Sequence, residues 1–157
     1  MIIFDLRNIP FDEILPVWST YLWKARVSEI APTSAIKYGT LPYEYDISYM
    51  DSEFHGVGAY FEDFLIGVNS VHNTGGSQWR SRGLFVFDEF RGNGVGQALL
   101  KSSIDIARKS GMTEMWTMPK QTSLTTYEKS GFVKTSDWFT TETSTANCYA
   151  KYTVNKL

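Results

Sequence analysis

Arg91-Gly92-Asn93-Gly94-Val95-Gly96 places three glycines within five residues, with Gln97 directly after them. Leu84-Phe85-Val86-Phe87 precedes this run as a short apolar, β-prone segment. Gln97-Ala98-Leu99-Leu100-Lys101 opens a stretch of good helix formers behind it. Backbone N–H groups in the first turn of a helix lack intrahelical acceptors, and the aligned peptide dipoles add partial positive charge there. Glycine removes the Cβ atoms that would hold a ligand away and opens backbone angles closed to other residues. The spacing therefore describes an anion site, most naturally for a phosphate, with Arg91 adding a cation. A turn that only connects two elements accounts for the glycines equally well, so the flanking pattern has to decide.

Two phosphate motifs fail on inspection. A dinucleotide fingerprint begun at Gly92 and Gly94 needs glycine where Gln97 stands, and no Gly-Lys-Ser/Thr follows to complete a Walker loop. What remains is R/Q-x-x-G-x-G/A, filled by Arg91, Gly94 and Gly96 between a strand and a helix. Some thirty residues on, Tyr127-Glu128-Lys129-Ser130-Gly131-Phe132 supplies a Tyr-x-x-x-Gly-Phe pattern. Together the two ordered motifs resemble the GNAT superfamily of N-acetyltransferases, over about residues 54 to 135. The resemblance implies an α+β GNAT acyl-CoA N-acyltransferase fold, with a mixed, mostly antiparallel central sheet flanked by helices. Acetyl-CoA is the implied cosubstrate. By the same resemblance, the Leu84, Phe85 and Val86 backbones would pair with the pantetheine arm, and Arg91, Gly92, Asn93, Gly94, Val95, Gly96 and Gln97 would hold the diphosphate. Tyr127 would stand near the coenzyme sulfur as general acid, since a phenol with a pKa of about 10 is protonated at neutral pH.

The chain departs from the family around Tyr127. Many members carry Asn seven residues before the tyrosine and Ala four before it, where Lys120 and Ser123 stand here. Ser123 keeps a small side chain able to hydrogen-bond the pantetheine. Lys120 reads as a solvated surface lysine, with a cofactor phosphate as its alternative partner. No general base is assigned: Glu53, His55, Glu62, His72 and Glu114 are the candidates, and water can carry the proton instead. The acceptor is expected between the first helix and residues 31 to 53. Trp18, Tyr21, Trp23, Tyr38, Tyr43, Tyr45 and Tyr49 cluster there in sequence with Glu44, Asp46, Asp51 and Glu53, a mixture suited to a cation or to core packing. A polyamine, an aminoglycoside-like amine, a protein N-terminus and a lysine all stay open, so the acceptor is a small-molecule or peptide amine.

The elements that must position these residues follow from periodicity and turn chemistry. A strand is expected over residues 1 to 8. A helix should run to about Lys24, with Ile14, Leu15, Trp18, Tyr21 and Leu22 on one face and Pro16 distorting its first turn. Strands are expected at 54 to 62 and 64 to 72, with a third ending at Phe87 after the turn Asn73 to Ser77. A helix ending at Gly111, a strand from Met112 to Met118, a helix stopping at Gly131 and a hairpin of strands near 132 to 142 and 147 to 154 complete the order.

At 157 residues, 43% hydrophobic and 20% charged, the chain reads as one globular domain, residues 1 to 157. A net charge of −2 argues against a broad nucleic-acid-binding surface. Cys148 is the only cysteine, which fits a reducing compartment and a packing role. No signal peptide, apolar span of about 20 residues or metal-ligand set stands out. The chain is therefore expected to be cytoplasmic and free of membrane and metal, and compatible with a homodimer. Beside the enzyme reading stand a GNAT-fold acyl-CoA sensor or partner-binding module without turnover, and a plain interaction domain.

Overall fold

Among the described residues, seven strands and three α-helices follow one another in the order the sequence implied. The computed structural model describes residues 2–141 and 146–154. Strand β1 (Asp5–Ile9) leads into helix α1 (Phe11–Val17), then β2 (Phe54–Phe61), β3 (Phe64–Asn73), β4 (Gln78–Val86), α2 (Val95–Lys109), β5 (Glu114–Thr117), α3 (Gln121–Lys129), β6 (Val133–Lys134) and β7 (Ala150–Thr153). They form one seven-stranded sheet in the order β1-β2-β3-β4-β5-β7-β6. Every pairing is antiparallel except β4 with β5. This is the mixed, mostly antiparallel sheet expected. No helix among the described residues is long and apolar enough to cross a membrane.

Two details differ from expectation. Residues Trp18–Leu22 continue α1 as a wider π-turn, closed by Trp23 N–H donating to the Trp18 carbonyl at 2.7 Å. Pro16, inside α1, supplies no N–H for the usual i−4 bond, so regular helix gives way one residue after Val17 begins to close the turn. The closing strands are also short: β6 pairs with β7 at Val133↔Lys151 and Lys134↔Ala150, and beyond them, among the described residues, Thr135 N–H donates to the Tyr149 carbonyl and an isolated bridge joins Phe139 to Asn147. Residue 142, the expected end of the first of these strands, lies outside the described residues.

The decisive irregularity lies in β4. Val68 pairs with Phe85 and Ser70 with Arg82, so Asn69 faces two residues, Gly83 and Leu84. Such a bulge bends the strand. Gly83 takes φ +76°, and a Cβ there would sit 2.2 Å from the Trp18 ring. Meanwhile β4 pairs with β5 only from Gln78 to Arg80, against Glu114 to Trp116. Beyond Arg80 the two parallel strands part and leave a wedge in the sheet.

Packing fixes that wedge from both sides. The stripe Val95, Leu99, Leu100, Ser103, Ile104 and Ala107 buries one face of α2, and Leu100, Ile104 and Ala107 pack with Tyr127, Val71, Trp79 and Met115. Successive strand residues point to opposite faces, so Val68, three before Val71, joins Ile9, Ile14, Val17 and Trp18 on the other side.

Candidate active site

The glycine loop is built as an open cradle. Gly92 and Gly94 take φ +82° and +77°, and a Cβ on either would meet nothing within 4 Å. Gly94 is the N-cap of α2, with no side-chain hydrogen bond closing that end. The first N–H groups of a 15-residue helix thus face a cavity of about 420 Å³. Leu84, Phe85, Val86, Arg91, Gly92, Gly94, Val95, Gly96, Gln97 and Ser123 all line it.

Two expected loop residues are placed differently from the others. Asn93 turns into the loop itself: its Nδ2 donates to the Phe90 carbonyl at 3.0 Å, and its Oδ1 accepts from Ile2 N–H at 3.4 Å. It braces the turn and does not line the cavity. Arg91 lines the cavity, yet its guanidinium folds back, donating from Nε to the Val86 carbonyl at 3.0 Å and pairing with Asp88 at 3.0 Å.

Tyr127 sits where the wedge opens. Its ring is buried, and its hydroxyl lies 3.0 Å from Ser81 Oγ on β4. The Tyr-x-x-x-Gly-Phe pattern is a helix-ending device: Gly131 N–H donates to the Glu128 carbonyl, and Phe132 N–H to that of Tyr127. Gly131 takes φ +99°, and the Phe132 ring packs edge-on against Tyr127 at 5.0 Å. The motif therefore locks Tyr127 in place. Burial pushes its pKa above the ordinary phenol value, while hydrogen bonds from Ser81 and Thr117 and the Arg80 charge act in the opposite direction.

Sequence reasoning missed the network behind this hydroxyl. Asn69 Nδ2 donates to Ser81 Oγ at 3.0 Å and to Ser103 Oγ at 2.9 Å, and Ser103 donates to the Leu99 carbonyl at 2.7 Å. All three residues are buried. The sequence held no local signal for it: Ser70 follows Asn69, Ser81 stands between Arg80 and Arg82, and Ser103 follows Lys101-Ser102.

A second cavity, of about 450 Å³, adjoins the first: Leu22, Leu84, Lys120 and Ser123 line both, and Tyr127 and Ser81 face this one. Trp23, Tyr43 and Tyr45 wall it, so the segment after the first helix contributes as expected. The carboxylates do not. Asp46 accepts from Ser48, Glu44 pairs with Lys37, and Glu53 pairs with His55 at 2.6 Å. Trp18, Tyr38 and Tyr49 pack elsewhere, and Tyr21 lines the other cavity. None of Glu53, His55, Glu62, His72 and Glu114 lines the second cavity. Lys120 is no solvated lysine: half-buried, it donates to the Leu22 carbonyl at 3.2 Å, and burial lowers its pKa. Cys148 is buried and its thiol is pushed up, as a packing residue should be.

Residues 19–132 match the model of the acetyltransferase (GNAT) family, well over half of the chain. The chain belongs to this GNAT acetyltransferase family. No curated protein matches it in sequence. Among solved structures, IAA acetyltransferase from Bacillus cereus ATCC 14579 is similar over 97% of this chain and 100% of its own, with a TM-score of 0.69 and 17% identity. PaiA N-acetyltransferase from Thermoplasma acidophilum, in complex with coenzyme A, covers 98% and 100% at a TM-score of 0.64 and 14% identity. A Bacillus anthracis str. Ames protein in complex with acetyl coenzyme A covers 98% and 100% at 0.65 and 14%. These likenesses fix the GNAT fold. Acetyl-CoA is the cosubstrate that goes with this family, and the uncapped, Cβ-free start of α2 fits its diphosphate.

Proposed function

We propose that this GNAT protein is an acetyl-CoA-dependent N-acetyltransferase that delivers the acetyl group directly to a primary amine seated in the 450 Å³ cavity. The observation that carries the reading is the junction. The wedge between β4 and β5 joins an anion cradle to an acceptor-sized cavity, with a buried, protonated Tyr127 in the wall of the latter.

Acetyl-CoA, when bound, supplies the thioester carbonyl and the thiolate leaving group. The start of α2, with Gly92, Gly94 and Gly96, holds the diphosphate, and the edge of β4 left free by the wedge positions the pantetheine arm. Ser123 faces that arm from α3. As the amine nitrogen bonds to the acetyl carbon and the carbon–sulfur bond breaks, Tyr127 donates its phenolic proton to sulfur and is reprotonated from solvent. The proton lost by the amine leaves through water, since no carboxylate or histidine among the described residues lines the cavity. Desolvation and the positive lining both favour the neutral amine. Such a reaction suits the cytoplasm, where acetyl-CoA and a free thiol at Cys148 are compatible.

Thiol release from acetyl-CoA against an amine panel tests the reading. Tyr127→Phe should lower kcat by about 10²–10⁴-fold, the usual worth of a general acid, with acetyl-CoA affinity unchanged. An undiminished kcat refutes the acid role. Acetyl-CoA stabilisation of about 2.7 kcal/mol at 100 times Kd, with no thiol released to any amine, would make the protein a binding module instead.

A further inference from the structure

Among the described residues, the second cavity is lined by charge of one sign. Arg26, Arg80, Arg82 and Lys120 face it, and no Asp or Glu among the described residues does. The four cations are not equivalent. Arg82 donates to the Ala31 and Pro32 carbonyls and lies over Trp18 and Trp23. Arg26 and Lys120 hold main-chain carbonyls of their own, at Glu29 and Leu22.

Arg80 is different. It is 5% exposed, yet its Nε and Nη1 have no hydrogen-bond partner. The Trp116 ring lies 4.7 Å from the guanidinium carbon and the Tyr127, Tyr149 and Tyr43 hydroxyls act on it favourably, but none of these is a full negative charge. His72, across the ladder from it, is fully buried, and an imidazole carries no negative charge in either protonation state. A buried guanidinium with unspent donors is costly unless something fills them. The cofactor's diphosphate is not placed to do so: Val86 stands six positions along β4 from Arg80, about 20 Å at 3.3 Å per residue, before the glycine loop begins.

We propose that the acceptor carries an anionic group, a carboxylate or a phosphate monoester, held by Arg80, so that its amine reaches the wedge beside Tyr127. The inference rests on the N-acetyltransferase reading for the word acceptor, though not for the anion site. Ser81, next to Arg80 in sequence, points to the opposite face and meets Tyr127, so anion and amine must be joined by a short spacer, as in an amino acid or a small peptide. Polyamines, which would bring more positive charge among four cations, are disfavoured on the same ground.

Unreactive product mimics read the anion site without turnover. The full chain, saturated with coenzyme A, is titrated by thermal shift with the N-acetyl-L-amino acids, their carboxamides and N-acetyl-O-phosphoethanolamine. The expected result is at least one anionic probe binding about tenfold or more tightly than its neutral counterpart, with carboxylate and phosphate arms showing which anion is preferred. Arg80→Gln should bring that ratio to near unity, and Arg80→Lys should keep part of it. Carboxamides binding as well as acids in every pair, no anionic probe binding at all, or a ratio unchanged in Arg80→Gln each overturn the proposal. Should Arg80→Gln fail to fold, the acid-to-amide ratio in the unaltered protein decides alone. A clear acid preference with no thiol released to any amine refutes the acetyltransferase reading and keeps the anion site. Thiol release to amines with no acid preference does the reverse.

Discussion

Replacing Gly83 by alanine tests whether the β4 bulge is held open by the Trp18 ring. Gly83 sits at φ +76°, where an L-residue costs about 1–2 kcal/mol. Its new Cβ would lie 2.2–2.3 Å from Cε2, Cζ2 and Nε1 of Trp18, so the indole must withdraw by more than an ångström. It has little room. Trp18 is fully buried, with Trp23 at 4.9 Å and Phe11 at 6.0 Å between ring centres, and the Arg82 guanidinium at 5.0 Å. Overpacking of this kind costs about 1–3 kcal/mol. Withdrawal also breaks the bond from Trp18 Nε1 to the Gly83 carbonyl, 2.9 Å long, leaving a buried donor worth about 1–3 kcal/mol unpaired. The last two terms overlap because one ring movement causes both, so the expected loss is about 3–5 kcal/mol, a large share of a typical domain's stability. Urea unfolding followed by tryptophan fluorescence reads it directly. Trp18→Leu makes space for the methyl group, so the double variant should be more stable than the sum of the two single losses by about 1 kcal/mol or more. A loss below about 1.5 kcal/mol, with additive single and double variants, would show that backbone strain alone acts at Gly83 and that the ring does not set the bulge.

Other positions give narrower tests. Gly94→Ala shares the left-handed backbone, at φ +77°, and meets no neighbour within 4 Å, so it should cost only about 1–2 kcal/mol while its methyl group intrudes on the cradle. Its thermal stabilisation by acetyl-CoA should fall well below that of the unaltered chain, and equal stabilisation would remove the cradle from the binding site. Stability should also decline in alkali. Burial pushes Tyr43 up to about 12 and raises Tyr127 and Tyr149, so the folded state holds phenolic protons that the unfolded chain releases near pH 10. The contribution is complete below about pH 10 and is lost as pH rises toward 12. Denaturant midpoints across that window should fall, and less steeply in Tyr43→Phe; a flat profile to pH 12 would contradict the burial of these rings.

What the sequence disclosed and what it hid separate along one physical line. Gly92, Gly94, Gly96, Gly131 and Phe132 act through local backbone geometry, which neighbouring residues dictate, and so could be placed by spacing alone. Arg80 and Arg82 stand two apart in Gln78-Trp79-Arg80-Ser81-Arg82, so alternation puts them on one strand face. Nothing local says that this face is buried, because the residues covering it come from Trp18, Trp23, Ala31 and Pro32, far away in the chain. The same gap hid where the neighbouring carboxylates lie. Glu44, Asp46 and Asp51 are near the cavity-lining Tyr43 and Tyr45 in sequence, but in an irregular segment adjacency does not set direction, and they turn outward.

That reversal of charge bears on the search for a general base. An ammonium group entering a cavity with carboxylates would be held protonated by them and would need a strong base to remove its proton. Entering among Arg26, Arg80, Arg82 and Lys120, the same group is pushed toward its neutral form by these four cations. A bound anion offsets part of this field, chiefly at Arg80, while Lys120 stays beside the wedge at the seam of the two cavities. A base poised at the amine is then less needed, which agrees with the lack of Asp, Glu or His along the described lining. On the proposed reading Arg80 would do two things at once: fix where the acceptor's anion lies, and belong to the field that readies the amine.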